Sequence, residues 1–379
     1  MESAGVKTAA EDTATVEGAT AEDGSAKLQF GRGLSRDPRD YVRALVIAGV
    51  LLFVLLAFPS IFSQYYVDAW TQVAIYSIVT LGLGLLVGRV GMVSLGQGAV
   101  LAMGAWVAAR LLFATALPYP IVLLGAGLIT MVLGTLVGLP ALRMSGLYLA
   151  LITLMLAGAI TVTLSNINFP NGGHGFTGYN GASVHISAIR RPSIATTDPA
   201  FFRYSLVVAV IMFLVVLVHV RGKPGRAWAA IRQSESAALA AGINTTLYKL
   251  WAFALASFIT GVAGGLVAGS YRYLNALTFS TADSITLLAV VLMGGAYSMW
   301  GAIVAAILLK FLQALLNDWG VSPDWLTILF GIGVLQVLTT APAGLVDQVP
   351  RDIKRLGRLL FGLGRRKQPV PADTSEDGS

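Results

Sequence analysis

The segment Arg221–Phe253, RGKPGRAWAAIRQSESAALAAGINTTLYKLWAF, interrupts an otherwise apolar chain. Apolar runs flank it on both sides. Its middle, Ala227 to Ala241, is rich in alanine and holds neither Gly nor Pro, so it favours one helix. Gly242 follows as a natural helix stop with an expected positive φ, a conformation that a β-branched residue tolerates poorly. A short charged helix held between membrane spans is a surface that another protein can grip. The segment therefore predicts a membrane body whose engine is a separate chain.

Composition agrees. Apolar residues make up 56% of the 379 and charged residues 12%, against roughly 45–50% and 25% in soluble domains. A soluble protein of this length could not cover so much apolar surface, so the expected fold class is an all-α polytopic membrane protein. The net charge of +7 raises the question of nucleic acid. The cations, however, cluster at span ends, where membrane topology places them, so no nucleic-acid partner is expected. The chain has no cysteine, which excludes disulfides, thiol catalysis and Cys-based metal sites. His174, His185 and His219 are scattered and offer no metal-ligand spacing. No catalytic residue and no metal site is expected.

Residues 1–40 are polar and contain no apolar run, and they read as a disordered cytoplasmic tail without a cleavable signal peptide. A transmembrane domain is expected over 41–345. Ten spans are placed near 44–62, 70–88, 92–113, 119–141, 146–165, 204–221, 249–270, 283–297, 299–317 and 325–343. The eighth and ninth are separated so briefly that one re-entrant unit is the alternative. Residues 346–379 form a second tail, basic over 351–367, where anionic membrane lipid attracts it, and polar thereafter. With both termini inside, 20 Lys and Arg fall in inner segments and four in outer loops, while Arg110 and Lys310 lie within spans. That partition predicts N-in, C-in topology. The loop 166–203 is then external and the loop 221–249 cytoplasmic.

Arg110 lies close enough to a span end to snorkel. Lys310 lies deeper, and reads either as a stem reaching an interface or carbonyl, or as a solute or gating contact. Asp283 reads as the cap of a helix starting at Ser284 rather than as a proton relay. Gly84/Gly88, Gly134/Gly138 and Gly261/Gly265/Gly269 repeat at four-residue spacing, which fits close packing inside the bundle or at a subunit interface. The third span opens with GMVSLGQGAVLAMGAW (91–106). Its Ser94 and Gln97 are polar, and Gly96 and Gly98 allow the helix to break. Exposed backbone at membrane depth survives only within protein or beside a water-filled path, so Ser94, Gln97 and Gly98 are candidate path residues, with plain helix packing as the alternative. GHGFTG (173–178) matches a dinucleotide fingerprint but lacks the strand before it and the helix after it. It reads instead as turns of an external segment, in which Asn171, Gly172, Gly173 and His174 are candidate docking residues. No G-x-x-x-x-G-K-[ST] phosphate loop is present, so the chain carries no ATPase site of its own.

Taken in order, SLGQGAVLAMGAW (94–106), GLYLALITL (146–154), NGGHGFTG (171–178), GRAWAAIRQSESAALAAGIN (225–244), YKLWAFALASFITGVAGGL (248–266) and SITLLAVVLMGGAYSMWGAIVAA (284–306) resemble the permease subunits of branched-chain amino acid (leucine/isoleucine/valine type) ABC importers, the M-type subunit in particular. The resemblance covers about 70–345. It implies an ABC importer permease fold in a bacterial inner membrane. The implied partners are a second permease subunit, two cytoplasmic ATPase subunits that carry ATP and Mg, and an external solute-binding protein docking on loops such as 166–203. Urea or a short amide is the alternative solute. An ion-coupled secondary transporter is the alternative class, but mid-span carboxylates and histidines are lacking. Many ABC importer permeases share a cytoplasmic E-A-A-x-x-x-G signature. Here Ala237, Ala238 and Gly242 fit it, Ser236 replaces its Glu, and Glu235 comes one position early. The implied ATPase-coupling set is Arg226, Ala227, Trp228, Ile231, Arg232, Glu235, Ala237, Ala238 and Gly242. In it Ala237 and Ala238 fit a shallow groove on the ATPase, Trp228 and Ile231 anchor the helix, and Arg226 and Arg232 contact the partner's rim.

Overall fold

Long runs of Leu, Val, Ile and Ala with few charges form helices, because only a helix satisfies its own backbone within lipid. The computed structural model describes residues 58–141, 146–167, 189–274, 279–322 and 324–340, apart from single positions elsewhere. The expected tails, most of the first span and Asn171, Gly172, Gly173 and His174 lie outside the described residues. Within the described residues the structure is helical, with no strand.

Eleven helices are described after a single turn at Phe58–Ile61. They are α1 (Gln64–Val90), α2 (Gln97–Ala114), α3 (Tyr119–Ala141), α4 (Leu147–Ile167), α5 (Asp198–Arg221), α6 (Lys223–Gln233), α7 (Glu235–Ala240), α8 (Thr245–Tyr271), α9 (Thr281–Gly294), α10 (Met299–Asp318) and α11 (Asp324–Thr340). Seven of them, α1 to α5, α8 and α10, are long and apolar enough to cross a membrane. The 27 residues of α1 extend about 40 Å, beyond a hydrocarbon core of about 30 Å. The 14 residues of α9 reach only about 21 Å. Its C-cap Gly295 has φ 108°, and the chain turns there into α10, so these are two helices joined by a short turn.

Helices α1, α2 and α8 form the centre, and their apolar windows are 83% buried. Glycine sets how closely they approach. A Cβ on Gly104 of α2 would stand 2.7 Å from Gly261 Cα of α8, and one on Gly264 would stand 2.5 Å from Leu101 O. The four-residue glycine rows of α3 and α8 thus pack within this chain: Gly134 meets Ser257, Gly138 meets Phe253 and Gly265 meets Leu123. Arg110 does not snorkel. It is 6% exposed, because α2 is covered by the bundle on the face that carries it.

Contacts fix which helix ends lie together. Gln64 bonds Asp198, and Tyr66 Oη donates to Asp318 at 3.0 Å. These bonds gather the start of α1, the start of α5 and the end of α10. Arg191 and Arg272 lie at the same end, since Arg191 Nε donates to Gly269 O and Ile189 N donates to Arg272 O. At the opposite end lie Arg89, the close of α5, and α6 and α7.

Candidate functional site

The short helices form one site. A sharp corner separates α5 from α6, with Pro224 in the first turn, where its missing N–H costs nothing. Gly225 is required there, since a Cβ would run into the Val220 carbonyl. The expected single helix is broken at Ser234, whose hydroxyl caps α7 by accepting from Ala237 N. Gly242 closes the element with φ 78°, the left-handed stop its sequence anticipates.

The element has two faces. On the inner face Ala227, Trp228, Ile231 and Ala238 are buried against this chain itself. Trp228 is fully enclosed, and its indole N–H donates to Tyr248 O at 2.8 Å. The outer face presents Arg226, Ala229, Ser236, Ala237, Leu239 and Gly242 to the surroundings. Arg232 turns sideways. Its guanidinium donates to Gly88 O at 2.7 Å and stacks over the Tyr297 ring, 4.2 Å from the centroid. Gly88 itself abuts the Ala296 carbonyl so tightly that no Cβ fits. One arginine thereby joins α6 to the last turn of α1 and to the α9–α10 turn. That last turn of α1, Leu85–Val90, is π-helical, a form that clusters at functional sites. Glu235 is bound within the chain by Lys249 Nζ at 2.6 Å.

The third expected span starts later than its sequence pattern. Residues 91–96 are not helical, and α2 begins at Gln97. Partners satisfy the broken backbone: Leu95 N donates to Thr153 Oγ1 at 2.9 Å and Met92 N to Leu86 O at 2.9 Å. Gln97 bonds Thr260 and, at 3.4 Å, Ala256 O, both on α8. Ser94 is buried and its hydroxyl faces Gly96 N at 3.4 Å. Gly98 N donates to Ser284 Oγ at 3.2 Å.

Gly98 also borders a cavity of about 220 Å³ that Tyr76, Asp283, Lys310 and Gln313 share with Leu101, Leu287 and Phe330. A wider vestibule of about 570 Å³ continues it through Tyr271, Lys310 and Gln313 to Tyr65, Asp68, Gln72 and Arg191. The vestibule lies at the end of the bundle remote from α6 and α7. Lys310 stands at the junction on a π-helical turn of α10, Ile307–Phe311, with Nζ 4.1 Å from the Tyr76 ring centroid.

Comparison with known proteins bears on what such a body does. The profile of the family described as "Branched-chain amino acid transport system / permease component" matches residues 65–338, about seven tenths of the chain. The chain belongs to this permease family. It is 30% identical over 331 residues to two proteins named "High-affinity branched-chain amino acid transport system permease protein LivM", from Salmonella typhimurium strain LT2 and Escherichia coli strain K12. Each alignment covers 80% of this chain and 75% of the relative. No solved structure gives a significant match.

Within this permease, the coupling residues named from sequence do come together in one element, but they divide by role. Trp228, Ile231, Ala227 and Ala238 hold the element to the bundle instead of meeting a partner's groove, because their side chains are already covered. Arg232 reaches sideways within the chain, and Arg226, Ala237 and Gly242 remain on the outer face. Of the three candidate path residues, Gly98 borders the cavity while Ser94 and Gln97 are bonded within the bundle. Asp283 is not the N-cap of a helix starting at Ser284: the helix begins at Thr281 with Ser280 as its N-cap, and Asp283 lies inside it, its carboxylate closing a capping box by accepting from Ser280 N. Tyr297, Tyr76 and Gln313 escaped the sequence reading, which took Gly88 as a packing glycine only. The deep position of Lys310 was the one sequence signal pointing toward this cavity.

Proposed function

We propose that this chain is one of two membrane subunits of an ATP-driven importer for branched-chain amino acids in a bacterial inner membrane. The observation that carries the reading is the two-faced element α6–α7, fixed to the bundle on one side and presenting Arg226, Leu239 and the small residues Ala229, Ser236, Ala237 and Gly242 on the other. A surface helix with nothing to grip needs no such fixing. The solute follows from the two relatives, whose names state branched-chain amino acid transport and whose likeness runs through most of this chain.

In this reading a pair of ATPase subunits holds the outer face of α6–α7, and ATP and Mg bind to those subunits. ATP-driven closure moves α6. Arg232 passes the movement to the inner end of α1 and to the α9–α10 turn, and the vestibule opens or closes in response. The two states need differ by only a few kcal/mol for a ligand to shift them. An external binding protein delivers solute to the vestibule end. With ten spans, the 20-to-4 division of Lys and Arg supports an N-in, C-in topology, in which α6–α7 lies on the ATP side.

The test is uptake of radiolabelled leucine into vesicles holding the assembled complex, with and without ATP, the ATPase subunits and the binding protein. Uptake should require all three. Leucine accumulation driven by an ion gradient without ATP overturns the importer assignment. Reporter fusions check the orientation separately and should place residue 180 outside and residue 235 inside.

A further inference from the structure

We infer that the cavity bounded by Lys310, Tyr76 and Asp283 is a solute-binding site of this permease, in which the Lys310 ammonium takes the carboxylate of an amino acid with an aliphatic side chain. The inference rests on the transport reading above and adds where the solute sits and which group recognises it.

Three independent observations meet there. The first is charge. Lys310 lies in a membrane-spanning helix, where an ionisable side chain marks a solute or ion path by default. Among the described residues it forms no ion pair, and its ammonium lies over the face of Tyr76. A cation held over a ring face retains its N–H donors for an oxyanion ligand.

The second is shape. The cavity of about 220 Å³ equals the space of about seven waters at roughly 30 Å³ each, room for one small solute. Leu101, Leu287 and Phe330 form an apolar wall beside the charged groups. A site with an ammonium at one end and hydrocarbon along a side fits a carboxylate carrying an aliphatic chain. It fits urea poorly, which has neither a charge nor a hydrocarbon group. Asp283 uses Oδ2 to accept from Ser280 N at 3.0 Å, which leaves Oδ1 for the ammonium of the same zwitterion.

The third is backbone. Lys310 sits on the π-helical turn Ile307–Phe311, which displaces it from regular helical register. Such turns recur at functional sites, and this one lies where the cavity meets the vestibule. Solute entering from the vestibule passes Lys310, which lines both spaces together with Tyr271 and Gln313.

The chain has no cysteine, so one introduced thiol reports without background from this subunit. Gln313 lines both cavity and vestibule, so Gln313→Cys in the assembled complex is labelled with a membrane-impermeant maleimide. L-Leucine at saturating concentration should slow labelling at least threefold. Leucinamide, which lacks the carboxylate, should not. Adding Lys310→Met should abolish the protection, and Lys310→Arg should retain most of it. Equal protection by leucine and leucinamide overturns the assignment without requiring that any Lys310 variant assemble. So does protection that survives Lys310→Met, or no protection in a complex that still imports leucine under ATP. A complex without substitutions that imports no leucine overturns the transport reading itself, a result distinct from all of these.

Discussion

The α6–α7 lever and the Lys310 cavity are both polar interruptions of one apolar bundle, and they are built in opposite ways. On the inner face of the lever the large side chains are packed in: Trp228 is enclosed and hydrogen-bonded, and Arg232 beside it is both bonded and stacked. Around Lys310 the polar groups border unfilled space. The difference suits the work proposed for each region. A lever transmits displacement only where contacts are stiff, and close-packed side chains are stiff. A path must keep its polar groups uncommitted, so that a solute can bind and leave.

The largest expected effect breaks the lever alone. Trp228→Ala removes an enclosed aromatic ring, a change of about 3–5 kcal/mol in packed interiors. It should release α6 from the bundle, so the ATPase subunits should no longer copurify with the membrane subunits. Maleimide labelling of Gln313→Cys should be unchanged. If labelling and copurification change together, the two regions are one cooperative unit and the contrast between them fails.

Arg232→Met sharpens the comparison further. It removes a charged hydrogen bond to Gly88 O, about 1.5–3 kcal/mol, and a cation–π contact of about 0.5–1 kcal/mol. The buried anchor Trp228 remains. The complex should therefore assemble normally while solute-stimulated ATP hydrolysis and uptake fall at least fivefold. Normal stimulation would mean that movement travels by another route.

Gly98→Ile acts on the cavity side. A Cβ there stands 2.5 Å from Ser284 Oγ, and overpacking of this kind costs about 1–3 kcal/mol. Uptake should fall severalfold, with ATPase copurification intact. Equal losses of uptake and assembly would assign Gly98 to packing alone. The smallest effect is expected from Glu235→Gln. The carboxylate is half-exposed and its pair with Lys249 contributes about 0–1 kcal/mol. Uptake should change less than twofold. A tenfold loss would make Glu235 a direct contact of the ATPase.

Much of the lever was legible because its signals are local. Alanine content announced a helix, and Gly242 announced its end with the φ of 78° that the structure shows. The break at Ser234 was also written in the chain, since Ser234 and Ser236 flank Glu235 and serine caps helices. Unbroken alanine propensity on both sides concealed it. The direction of Trp228 was not legible. An apolar stripe on a short helix says that the stripe is covered, not whether its own bundle or another protein covers it. Gln97 posed the same ambiguity, and the structure turns it to Thr260 and α8.

By itself the sequence determined that this protein is helical and lies in a membrane, and that its polar segment 221–249 carries a helical element ending at Gly242. Those properties depend on hydropathy, charge at span ends and backbone conformation, each readable within a window of neighbours. The tertiary structure alone decided that Arg232 joins three segments, that Arg110 is enclosed, and that Lys310, Tyr76 and Asp283 border one cavity. These groups are separated by more than two hundred positions in places, and only the packing of α1, α9 and α10 against one another brings them within reach.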